Sequence, residues 1–122
     1  MAASISVTGW EKKLRELPCC VSRLRPVTLH HCHGGSIKEA GWHVGIAQKQ
    51  NPYLQIPLHE KYHTGLFGID GGMGVLRWER GFGTQMRHLQ WVIDQLGYDV
   101  FELANQWEQE HRSKSLNAER CL

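Results

Sequence analysis

The run VTLHHCHGGS at residues 27–36, taken with YLQIPLHEKYH at residues 53–63, decides how this chain is read. Val27 to His33 begins with β-branched residues and runs into Gly34, Gly35 and Ser36, the pattern of a short strand ending in a turn. Tyr53 to Pro57 reads as a second short strand. Pro57 then suits the first turn of a helix spelled LHEKYHT and stopped at Gly65. On such a helix His59 and His63, four residues apart, share a face. In the strand, His30 and His31 point to opposite faces, so only one of them joins that face. Three imidazoles from two segments can thus converge on a metal ion. The fourth, with an unperturbed pKa of about 6.5, is left to take a proton from water.

The rest of the chain frames this pair of segments. Gly9 to Leu17 reads as a short N-terminal helix with Trp10, Leu14 and Leu17 on one side, closed by Pro18. Ile37 to Asn51 follows neither period and is expected to be a long irregular loop. GLFGIDGGMG, residues 65–74, is too rich in glycine for regular structure and should be a loop or hairpin leading into Val75 to Trp78. Met86, Leu89, Ile93 and Leu96 recur at helical spacing before Gly97, which predicts a helix from about Thr84 to Leu96. Asp99 then caps a further helix whose apolar stripe is Val100, Leu103, Ala104 and Trp107 and which frays after Arg112. The fold class expected is α+β: a two-stranded hairpin plus metal-binding helix, core about 19–66, with two C-terminal helices over about 84–112 and a short N-terminal one. The chain is read as a single domain, 1–122.

Composition narrows the function classes. The 122 residues are 41% hydrophobic and 21% charged, which suits one folded unit and not a disordered chain. A formal charge of +2 means that any polyanion must be gripped by a local patch. No apolar run resembles a signal peptide or a membrane span, so a soluble, intracellular protein is expected. Cys19, Cys20, Cys32 and Cys121 fall too irregularly for a disulfide framework, and reduced thiols are expected. Most of the eight histidines lie between His30 and His63, an uneven placement that itself marks a site.

LHHCHGGS, then Asn51, then YLQIP, then LHEKYH resembles the His-Asn-His (ββα-metal) nuclease superfamily. Its members have a strand ending in a His-His or Asp-His pair, a loop, an asparagine before a second strand, and a short helix with the remaining ligands. The two helix histidines look like those of the nuclease colicins. The resemblance implies His30, His59 and His63 as metal ligands, His31 as general base, and Asn51 as the brace of the loop holding His31. It implies one divalent ion: magnesium, manganese or zinc in use, zinc or nickel in the isolated protein. HHCHGG and IPLHEKYH are also similar to phage recombination-enhancement nucleases. That second likeness implies a DNA substrate, a RecA filament as partner, and a phage or prophage protein in the bacterial cytoplasm. Many members of the superfamily hold a structural zinc with paired cysteines. Here Cys19 and Cys20 are adjacent, while Ser22 and Tyr62 stand where further thiols would fall.

The implied reaction is hydrolysis of a phosphodiester by an activated water. DNA would be held through its phosphates by Lys38, Lys49, Lys61, Arg77, Arg80 and Arg87, the cations nearest the site in sequence. His33 and Asp70 are the residues expected to support the site from outside the ligand set, His33 at a phosphate and Asp70 by orienting a histidine. Two further readings stand beside this one. In the first, a non-catalytic zinc module closes a tetrahedral site from three or four of His30, Cys32, His33, His59 and His63 to scaffold DNA or protein binding. In the second, the chain is a recombination accessory protein that mainly binds a filament.

Overall fold

A computed structural model describes residues 4–42 and 50–120 of the chain, with residues 112–120 described through their backbone only. Among the described residues six helices surround a small antiparallel sheet, a mixed α+β arrangement as expected. In chain order these are α1 (Val7–Glu16), β1 (Thr28–His31), α2 (Gly35–Glu39), β2 (Gln55–Leu58), α3 (Glu60–His63), α4 (Val75–Phe82), α5 (Gln85–Leu96) and α6 (Val100–Arg120). Among the described residues no helix is long and apolar enough to cross a membrane.

The sheet is the platform of the site. β1 and β2 pair with Leu29 opposite Pro57, His30 opposite Ile56 and His31 opposite Gln55, and the Cys32 N–H to Leu54 carbonyl bond of 2.8 Å extends the ladder. Pro57 therefore lies inside a strand, not in the first turn of a helix as its sequence context suggests. In a two-stranded sheet every strand is an edge, where a residue without an N–H is tolerated. Burial of Ile56, Pro57 and Leu58 holds the segment extended. The Pro57 carbonyl accepts instead from the Cys20 N–H at 3.0 Å.

Because the strand runs on to Leu58, α3 starts late and is one turn long. His59 is its N-cap, with ring Nδ1 accepting the Lys61 N–H at 3.2 Å. The expected helical face shared by His59 and His63 is thus corrected: the two stand at the cap and the last residue of a single turn.

Helices clamp the sheet from either side. Trp10 and Leu14 of α1 are fully buried, and the Trp10 indole N–H donates to the Tyr53 carbonyl at 3.1 Å. Each such side chain stabilises the fold by about 1.5–3 kcal/mol through apolar burial. On α6 the stripe Val100, Leu103, Ala104 and Trp107 is buried as expected, and Asp99 Oδ1 accepts from the Phe101 and Glu102 N–H groups. α5 has the predicted limits, with Thr84 capping its start and Gly97 at φ 77° its end. Its buried face differs from the apolar pattern: Gln85, His88, Leu89 and Val92 are inside, while Met86, Ile93 and Leu96 are half-buried. Two polar residues turn inward because each finds buried partners.

The segment from Ile37 expected to be irregular begins within a short helix, α2, and Val75 opens another, α4. Residues 65–74 do form a tight loop. A Cβ at Gly68 would lie 2.4 Å from the His63 carbonyl oxygen, and one at Gly71 2.4 Å from that of Thr64, so only glycine permits this approach. The same folding-back pairs the Asp70 N–H with the His63 carbonyl at 2.9 Å. It thereby brings Asp70 against α3.

Candidate metal centre

Asp70 is the hub of the site. Its Oδ2 lies 2.7 Å from His30 Nδ1 and 3.1 Å from His63 Nε2, and its Oδ1 lies 2.9 Å from His33 Nε2. His30 is completely buried under this cluster, while the His33 side chain, 40% exposed, forms its mouth. His30, His33 and Asp70 each offer one ligand atom within 4.8 Å of the others, a group able to hold one metal ion.

The hydrogen bonds behind the histidines fix how these rings point. Gln85 is fully buried; its Oε1 accepts the His33 N–H at 3.1 Å and its Nε2 donates to the His33 carbonyl at 2.8 Å. That clamp sets the orientation of the amide, so the Oε1 atom 3.0 Å from His30 Nε2 must be an acceptor and the ring nitrogen its donor. His30 Nδ1 then faces a carboxylate oxygen at hydrogen-bond distance. Both ring nitrogens of His30 thus meet an oxygen, and the ring is fixed from either side. Thr28 braces His63 in a similar way, its hydroxyl 2.6 Å from Nδ1. Behind Gln85, Glu79 accepts from the Ser36 N–H and hydroxyl and from the Gln85 N–H.

Electrostatics follow from this packing. Partial burial works against the Asp70 charge, but hydrogen bonds from His30 and His33 and their positive charge hold its carboxyl well below the usual range. Desolvation, helped by neighbouring His30, lowers the His63 pKa and favours its neutral, ligating form. Glu79 is likewise held ionised despite burial by the donors of Ser36 and Gln85.

His30 and His63 thus come together, and His33 and Asp70 join them in direct contact. His59 does not point into this set through any described bond: its Nδ1 is spent on capping α3. His31 faces the other side of the sheet, in the wall of an open cavity of about 600 Å³ with Glu11, Gln50, Tyr53, Trp107 and His111. Burial lowers its pKa, and Glu11 only partly offsets this. Asn51 is buried between β2 and α6: its Oδ1 accepts from Tyr53 N–H at 3.0 Å, and its Nδ2 donates to the Ala104 carbonyl at 2.9 Å and to Glu108. Among the described residues its bonds brace α6, not the histidine strand. Cys19, Cys20 and Cys32 are free thiols buried in the core.

The cations named from sequence are spread out. Lys38, Lys61, Arg77 and Arg80 are exposed on α2, α3 and α4, and Lys49 lies outside the described residues. Sequence reasoning missed Gln85 and gave Asp70 too small a part. The GIDGG spelling was the signal for Asp70, since a carboxylate between glycines can approach a histidine closely. Comparison of the chain with known protein families, curated proteins and solved structures found no match.

Proposed function

We propose that this chain is a metal-dependent endonuclease of the His-Asn-His type, hydrolysing phosphodiester bonds in DNA. The observation that carries the reading is the convergence of His30, His33 and His63 on Asp70, with the His30 ring held by a buried amide. In this reading His30, His33 and Asp70 hold one divalent ion, and His63, bonded to the same carboxylate, completes the set. Asp70 takes the place that the resemblance gave to His59. Bound there, the ion would stabilise charge on the scissile phosphate and the departing 3′ oxygen.

In-line displacement puts the attacking water on the side of phosphorus away from the leaving oxygen. The base therefore belongs beside the ion's site and not on it. We assign this part to His31 on the resemblance: it is adjacent to His30 in β1 but opens to its own cavity on the other side of the sheet, so the substrate would have to reach past the sheet edge to meet both. Its lowered pKa keeps the imidazole neutral and able to take a proton from water. RecA dependence and a phage or prophage origin belong to the same proposal through the similarity of HHCHGG and IPLHEKYH.

The test is plasmid nicking with added Mg²⁺, Mn²⁺ or Zn²⁺ and with chelator, alongside metal content. Native chain should nick with metal alone, Asp70→Asn should lose both metal and nicking, and His31→Ala should lose nicking and keep metal. Nicking by His31→Ala at the native rate would refute the assigned base. One observation favours a non-catalytic metal module: four protein donors already surround the site, as in closed structural centres. Tight metal binding with no nicking by the native chain would establish that reading.

A further inference from the structure

A further cavity of the described residues lies away from the histidine cluster. It lies beyond Glu79, an open concavity of about 910 Å³ between the turn after the first cysteines and the α4–α5 corner. Arg23, Arg80 and Arg87 line it, with Trp91 and Phe82 among its aromatic walls. Arg23 is the only described non-glycine residue with positive φ, at 64°. Its guanidinium lies 4.2 Å over the Trp91 ring and donates to the carbonyls of Cys19 and Cys20, so it is held in place before any ligand arrives.

Three arginines and two carboxylates, Glu79 and Asp94, share the wall of this cavity. Among the described residues none of the three arginines has a carboxylate partner; the ion pairs there are those of histidines with Asp70. The cavity's own acids, Glu79 and Asp94, keep their charge, but their bonds go to neutral donors and not to the guanidiniums. Glu79 is occupied by Ser36 and Gln85, and Asp94 accepts from Gln90 at 3.2 Å. Three guanidiniums with no carboxylate bonded to them, in a concave, aromatic-walled space, suit a chain of phosphates with unpaired bases between them. A base can stack on an aromatic ring or on a guanidinium plane, whereas the convex surface of a duplex cannot enter such a hollow.

We propose that the Arg23–Arg80–Arg87 cavity binds a single-stranded segment of DNA through its phosphodiester backbone. This rests on the nuclease reading for the choice of DNA and places the strand near the metal centre. Glu79 forms part of the cavity wall and bonds to Gln85, which in turn meets His30, so two side chains separate cavity and cluster.

The experiment is fluorescence anisotropy of a labelled single-stranded oligodeoxynucleotide in EDTA, where no cleavage occurs, across a salt series. It uses the full chain, Arg80→Gln/Arg87→Gln, the same with Arg23→Gln, and a control of equal charge change on the exposed face of α1, Lys12→Gln/Arg15→Gln. For the double cavity variant the slope of log affinity against log salt should fall by roughly 0.7 for each lost phosphate contact. The control should bind nearly as the native chain does. Adding Arg23→Gln should weaken binding further; the double variant, which leaves the Arg23–Trp91 stack intact, is decisive if the triple variant unfolds. Equal losses in cavity and control variants, native affinity in the double variant, or tighter binding of a duplex than of a single strand would each overturn the proposal. If the native chain never nicks DNA yet shows the cavity-dependent binding, the nuclease reading fails and this one stands. If it nicks and the cavity variants bind as native, the reverse holds.

Discussion

Gln85→Leu is the substitution that tests most directly how the metal centre is built. Leucine nearly matches the glutamine in volume at a fully buried position, so the change empties little space. What it removes is partners. The His30 Nε2–H, the His33 N–H and the His33 carbonyl all lose the amide that meets them at 3.0, 3.1 and 2.8 Å. Orphaning a buried polar group costs about 1–3 kcal/mol, and His33 is partly solvated, so a net loss of about 2–4 kcal/mol is expected after the leucine's apolar burial. With a urea dependence of about 1–3 kcal/mol per molar, the unfolding midpoint should drop by roughly 1–2 M. Tryptophan fluorescence follows the transition. The same variant frees the His30 ring to turn, and loss of a partner behind a ligand typically lowers metal affinity about 10–100-fold. Competition against a chromophoric zinc chelator measures that. A midpoint within error of the native one together with zinc affinity within about twofold would refute the claim that the buried amide orients His30.

Two further outcomes follow from the same contacts. His88 is buried with Nε2 on the Phe82 carbonyl, and desolvation lowers its pKa, as it does for His31 and His63. A lowered folded pKa gives stability that is complete above the unfolded value of about 6.5 and is lost as pH falls through the folded values. Metal-free protein should therefore melt at progressively lower temperature from pH 7 to pH 5, with a shallower decline in His88→Gln; a flat native profile contradicts this. Asn51→Ala should destabilise by about 1–3 kcal/mol in urea, because Tyr53 N–H and the Ala104 carbonyl lose a buried partner. Zinc affinity should be unchanged by it, and a selective loss of metal would show that Asn51 braces the histidine strand after all.

What the sequence by itself determined was local. Thr84, Gly97 and Asp99 mark the ends of α5 and α6 through bonds that reach only a few residues along the chain. β-branched residues before the His30–His31 pair mark a strand, and a strand's alternation separates the two rings. Helical periodicity, however, scores apolar residues, so it passed over Gln85 and His88, which are buried because distant polar groups meet them. The extent of β2 was equally out of reach: Pro57 is permitted by a helix start and by an edge strand, and only pairing with Leu29 and burial of its neighbours chose the strand. That choice moved His59 to a cap. Asp70 and Gln85 lie 40 and 55 residues from His30, and no local pattern encodes which carboxylate or amide a histidine will meet at that separation. Tertiary packing decided it, because the glycine loop can fold against α3 and α5 can press its polar edge on β1 only once the sheet between them exists.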